Sequence, residues 1–440
     1  MNKLISTFKN IFSIPELRSR ILFTLLIIVV FRLGSHIVLP GVDPTKLSGS
    51  SSGLAGLLDT FLGGSFNRAS IMALGIMPYI SASIAIQLLT LALPYFSKMQ
   101  KEGESGRRKL NQITRWLTIA VTSAQAFTYV KTAIQAEAIT ADNKGLFYFS
   151  SVVFIVAGTV FCMWLGEKIT DKGVGNGISM LIMIGIVSRF VPSIAQEFNS
   201  RGVSQIIIFV LEIVALFFVI LAAVAITQAV RRIPTQYAKQ VASNKVNVGE
   251  RQYLPIKLNT AGVMPIIFAQ ALMFIPSLLA GQFADKSDFA SSIMTTFSST
   301  TSWQYCLLLA VLIIGFTFFY TAISINSTQI SDDMKRGGGF VPGVKPGQPT
   351  ADYIDMVLDR ITLPGGILLA AIAILPALAA KLGMVTQFSQ FFGGTSLLIM
   401  VGVVLDTLQQ VESYLLMKRY DGLMQSGRVQ GRQATTIGGV

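Results

Sequence analysis

Ten stretches of this chain, at about 21–39, 71–93, 116–134, 147–166, 177–193, 205–230, 261–281, 304–325, 362–381 and 395–416, are apolar over nearly the ~20 residues that the hydrocarbon core of a bilayer requires. Backbone amides and carbonyls in lipid have no water to bond, so each run must close its own hydrogen bonds as a helix. The fold class is therefore an all-α polytopic membrane protein. Composition agrees: 13% of residues are charged and mean hydropathy is +0.61, against roughly 25% charge in soluble domains.

An even number of spans places both termini on one side, and the basic residues decide which. In the terminal segments and alternate loops fall 26 lysines and arginines; the opposite loops hold 8, and Arg32 lies inside the first span. The richer side is cytoplasmic. This distribution also accounts for the net charge of +13, which is spread over several loops rather than gathered as a nucleic-acid surface. The N-terminal segment 1–20 is basic and lacks a signal peptide's short apolar core and cleavage site, so the span from Ile21 is expected to remain.

Chemistry that needs a cofactor finds no support. Cys162 and Cys306 cannot build a disulfide framework or a four-ligand zinc site, and His36 is the one histidine. "DKGVGNGIS" sets Gly173, Gly175 and Gly177 before a helix, but without the Gly-Lys-Ser/Thr of a phosphate loop it reads as a tight helix entry. "EGESGRRK" fails the same test. No nucleophile–base pair is evident, so the expectation is no enzyme, no cofactor and no metal. Arg32 and Glu212 are intramembrane charges, open to a functional reading or to a buried or snorkelling one. Gln87 and Gln270 face each other or face water.

Two loops exceed what a connection needs. One spans about 231–258 and is basic; the other, about 326–360, contains the turn-rich "GGGFVPGVKPGQPT". Both offer a platform to a soluble partner. On the other side, Leu54, Leu57, Leu58, Phe61 and Leu62 recur at helical spacing until Gly63 and Gly64 stop the pattern. A helix of half a bilayer's thickness, hinged by Gly, Ser and Asn, reads as a re-entrant element over about 54–66, with an interfacial helix as the alternative. After it, Ile76, Ile80 and Ile84 fall on one helix face, and Ile178, Ile182 and Ile186 repeat that spacing in the fifth span.

"RASIMALGIMPYISASIAIQLL", "EGESGRRK", "MWLGEKITDKGVGNGIS", "LNTAGVMPIIFA", "GGGFVPGVKPGQ" and "FFGGTSLLI", in this order between about Leu17 and Met417, resemble the SecY/Sec61-alpha family, channel subunits of protein-secretion translocases. The resemblance implies two inverted pseudo-repeats of five helices around an hourglass pore: an N-terminal half at 21–193, a C-terminal half at 194–416, and a cytoplasmic tail at 417–440. Carried over by motif, the ring that closes the pore is Ile76, Ile80, Ile178, Ile182, Ile267 and Ile399. The half-helix with Leu54, Leu57, Leu58, Phe61, Leu62, Gly63 and Gly64 becomes the plug. A lateral gate to lipid lies between the second and seventh spans, which hold Gln87 and Gln270.

The resemblance further implies docking of the SecA motor ATPase and the ribosome at Arg107, Arg108, Lys245, Arg251 and Lys345. SecE and SecG small subunits, signal sequences and nascent chains, YidC, SecDF and membrane lipids are the other implied partners, in a bacterial inner membrane. Lys345 stands where the family often has arginine, and Asn244–Lys245 where it often has a basic pair; lysine keeps the charge but loses the bidentate fork. Two rivals remain from other classes. A secondary transporter for a small solute should carry a polar midplane site, and a pore-less scaffold leaves the half-helix without a role.

Overall fold

The computed structural model of the chain describes residues 14–47, 54–140, 143–202, 205–237, 252–260, 262–270, 272–273 and 301–425. The first five spans are α1 (Pro15–Gly34), α3 (Met77–Ala92), α5 (Glu104–Thr132), α6 (Lys144–Lys172) and α7 (Gly177–Arg201), with the short α2 (Leu54–Phe61) and α4 (Pro94–Lys101) on either side of α3. The last five begin with α8 (Ile206–Gln228) and the helical residues 264–270 and 272–273. They continue with α9 (Trp303–Ser324), α11 (Gln348–Lys381) and α13 (Gly394–Gln425); α10 (Ser327–Arg336) and α12 (Thr386–Ser389) are short connectors. Among the described residues, six helices are long and apolar enough to cross a membrane, and α3 with α4, bent by 102° where Pro94 interrupts them, makes a seventh. The other three are less evident for physical reasons. Glu16, Arg18, Arg20 and Arg32 dilute α1, the first turns of α5 are charged, and most of the run at 274–281 lies outside the described residues.

Helix starts follow local chemistry. Asn143 caps α6 and Asn176 caps α7, each side chain accepting two backbone amides of the first turn. Ser302 and Asn326 cap α9 and α10. Proline occupies the first turn of α1, α3 and α4, where a missing N–H leaves nothing unsatisfied. The second apolar run is not helical from its start. Residues 62–76 are mainly turns, and α3 begins at Met77.

Among the described residues there are five apolar clusters, the smallest joining Ile86, Met99 and Leu110 of α3, α4 and α5; the other four organise the fold. One belongs to the first five spans and centres on Tyr129, Ile155 and Leu39. A second belongs to the last five and centres on Ile266, Ile313 and Leu369. A third draws residues from both sets of spans. The fourth lies outside the spans. There, β1 (Val230–Tyr237) pairs antiparallel with β2 (Gln252–Lys257), Ile233 opposite Leu254, and with β3 (Gly339–Phe340), Gln236 opposite Phe340. Ile233 and Ile256 from one long loop pack against Met334, Val341, Ile354 and Leu358 from the other. The two long loops pack together as one subdomain; the Gly/Pro-rich stretch 337–347 is turns with the short β3, flanked by α10 and the first turns of α11.

Candidate functional site

Turns at 65–76 deliver Ile76 to the entrance of α3, and Ile80 comes one helical turn later. Gly177, held at the start of α7 by the Asn176 cap, sets the phase of Ile178 and Ile182. The short helix at 264–270 contributes Ile267. The loop "FFGG" precedes α13 and fixes Ile399 in its first two turns. All six isoleucines, from four separate segments, fall in one apolar cluster that bridges the two sets of spans. Ile76, Ile182 and Ile399 are buried; Ile80, Ile178 and Ile267 are half-buried against them. The six isoleucine side chains are hydrocarbon, so they offer no hydrogen bond to an ion or to a peptide.

Phe61, at the end of α2, belongs to the same cluster. Helix α2 approaches α7 closely because Gly185 has no side chain: a Cβ there would stand 2.1 Å from the Phe61 carbonyl oxygen. The chain then turns at Gly63 and Gly64, both with positive φ (63° and 89°), a conformation that glycine adopts without strain. The side chains of Leu54, Leu57 and Leu58 lie outside the described residues.

Polar anchors surround this turn that reading the sequence did not single out. Asp59, buried, forms an ion pair with Arg189 of α7 and accepts the Asn67 amide at 3.0 Å. Arg68 donates to the Gly63 and Gly64 carbonyls at 3.0 Å each, and Arg32 to Gly63 at 3.4 Å. Thr60 is hydrogen-bonded to Gln390, just before α13. The available signal was Asp59 itself, the one carboxylate in an otherwise apolar half-helix. Arg32 thus faces the α2 turn.

Glu212 also has partners. Arg201 donates to Glu212 at 2.6 Å, to Glu197 at 2.9 Å and to the Gly383 carbonyl at 3.0 Å, and Glu197 accepts the Val385 amide at 2.7 Å. This network ties α7 and α8 to the loop after α11.

Gln87 and Gln270 are not bonded to each other. Gln270 accepts the Thr395 hydroxyl at 3.0 Å, linking 264–270 to α13, and Gln87 is half-buried on α3. Arg107 and Arg108 are exposed at the start of α5, where Arg108 pairs with Glu104 at 2.6 Å. Lys345 is exposed at the tip of the second loop, whose backbone is held by Thr350 bonding to the Lys345 carbonyl (2.9 Å) and Ser331 to Gly347 (2.6 Å). Lys245 and Arg251 lie outside the described residues.

The chain is similar to known proteins. The SecY family model matches residues 70–408. The chain is 41% identical to the protein translocase subunit SecY of Streptomyces scabiei, over 96% of this chain and 100% of that protein. It is 40% identical to that of Thermus thermophilus, over 98% and 100%. Among solved structures, it resembles a protein-conducting channel (TM-score 0.65, 16% identity, 93% of this chain and 94% of that one). It also resembles a SecY in which the plug domain stabilises the closed state (TM-score 0.63, 17% identity, 93% and 94%), and Sec61 in a canine ribosome–channel complex (TM-score 0.62, 16% identity, 93% and 94%).

Proposed function

This chain belongs to the SecY family, and on that premise we propose how its own residues make a protein-conducting channel. Ile76, Ile80, Ile178, Ile182, Ile267 and Ile399 form the ring at the waist. A ring of bulky hydrocarbon expels water from a narrow pore and so blocks ions. It makes no specific contact with peptide, so unfolded chains of many sequences slide through it. Helix α2 with its Gly63–Gly64 turn is the plug that closes this waist, and α3 with 264–270 is the lateral gate through which transmembrane segments reach lipid. Gln87 and Gln270 sit on its two sides, and Gln270 bonds Thr395 in the closed form. The halves divide near 193–194, in the latter part of α7.

The chain lies in the bacterial cytoplasmic membrane with both termini in the cytoplasm. The subdomain of β1–β3, α10 and the start of α11, with Lys345 at its tip, and the exposed Arg107 and Arg108 receive the SecA motor and the ribosome. Lys245 and Arg251 extend this basic surface. SecE and SecG subunits complete the channel, with YidC and SecDF as further partners. The protein is not an enzyme, and a partner supplies the energy.

One observation carries the reading: six isoleucines from four segments share a single apolar cluster with Phe61 of the short helix. A solute carrier needs polar groups there. The test is reconstitution in vesicles with SecE, SecG and SecA. A precursor bearing a signal sequence should become protease-protected only with ATP. Uptake of a small solute with no precursor protection would overturn the reading.

A further inference from the structure

We propose that Asp59 and Arg189 form a charged latch that holds the plug closed. The proposal rests on the reading of α2 as the plug and adds what keeps it in its seat. Asp59 lies in the last turn of α2 with 4% of its surface exposed. Both carboxylate oxygens are used, one by the Arg189 guanidinium and one by the Asn67 amide. The turn after the helix is gripped as well, its carbonyls accepting from Arg32 and Arg68. Arg68 and Arg189 each bring a terminal nitrogen to 2.5–2.6 Å from the point that a Cβ on Gly64 would occupy.

The guanidinium groups of Arg189 and Arg68 thus lie about the carboxylate and the turn, and that of Arg32 reaches the turn. Lifting α2 out would part a buried ion pair and leave the arginines without their counter-charge, the costly way to break such a pair. A further polar tie of the plug, Thr60 to Gln390, is between neutral groups, and charge-assisted bonds are the stronger class. The resting seal thus has a component that hydrocarbon packing does not supply, and Asp59 is its positioning residue.

Ion conductance of the full-length chain with its partner subunits, in planar bilayers without substrate, tests this. Asp59→Asn and Arg189→Gln should each raise open-state occupancy by about tenfold to a hundredfold. The double variant should raise it no further than the stronger single one, because one bond is lost in all three. Asp59→Glu, which keeps the charge, should restore part of the seal, and Thr60→Val should have the smaller effect. Should Asp59→Asn fail to accumulate, Arg189→Gln tests the same bond from α7. If both single variants stay as tight as the parent while deletion of 57–64 conducts, the latch is wrong and the plug stands. A fully additive double variant also sinks the latch. If the deletion itself stays tight, the plug reading falls and the latch with it.

Discussion

Ile80 and Ile182 show what one side chain contributes to a seal. They come from different helices, meet in one cluster, and present methyl and methylene groups where a channel could hold water. Replacing both with serine removes bulk and adds hydroxyls, so the constriction hydrates and conducts. Planar-bilayer currents should rise for Ile80→Ser/Ile182→Ser, and rise again when 57–64 is deleted. Ile220→Ser on α8, outside this cluster, is the control and should stay tight. Ile80 is only half-buried, so its loss should cost less than the roughly 2–5 kcal/mol of a packed-core truncation. Arg201 is the opposite case. It serves two buried carboxylates, Glu197 at 0% and Glu212 at 5% side-chain exposure. Arg201→Gln strands both charges and should lower stability by about 3–5 kcal/mol, read as a lower thermal midpoint in detergent, with the pore still closed. Sequence marked Glu212 as a buried charge but not its partner, because Arg201 sits at a helix end where it looks like an ordinary loop cation.

At the scale of elements, hydrophobic run length located the spans well, since it derives directly from bilayer thickness. It failed where a helix is polar. "STQISDDMKR" became α10, although nothing in it is apolar enough to mark a span. The long α11 continues through Pro364 and Pro376, and its first turns lie in the stretch read as a loop. In the sheet, β3 joins β1 from about a hundred residues further along the chain, a pairing that local pattern does not encode. Helix α2 was legible from its spacing; its contacts with Arg189 and Gln390, which lie more than a hundred residues away, were not.

The fused subdomain gives the Lys345 tip a rigid base, because Val341 and Val344 pack into its core. Lys345→Glu should therefore weaken motor-driven export several-fold without unfolding the base, and the defect should ease at high salt as repulsion is screened. Lys345→Arg should export at least as well as the parent. Normal export by Lys345→Glu at both low and high salt would mean that this loop is only a connection.

Across the whole molecule, the two sets of five spans have largely separate cores and share the isoleucine cluster. Among the described residues, polar ties between the sets include Glu197–Val385, Arg201–Gly383, Arg201–Glu212, Gly175–Gln410 and Thr60–Gln390. Gln87 and Gln270 make no such tie with each other. The proposed lateral gate lies between α3 and 264–270. A short disulfide locking α3 to 264–270 should stop both export and membrane insertion, with reduction restoring them. Unimpaired export through a demonstrably locked pair would remove the lateral gate from the account. The family resemblance was readable from six motifs in order and implied that their isoleucines meet; local pattern alone did not, since the meeting depends on how four distant segments pack.

The central claim is that this isoleucine surface touches the passing polypeptide. A photo-crosslinking amino acid placed in turn at Ile80, Ile182, Ile267 and Ile399, with a secretory chain stalled in transit, tests it directly. Ile207 on α8, 82% exposed on the outside of the bundle, is the reference position. The expected result is adducts to the stalled chain at all four ring positions and only lipid adducts at Ile207. Lipid adducts at the ring positions, or equal capture of the chain at Ile207, would contradict it.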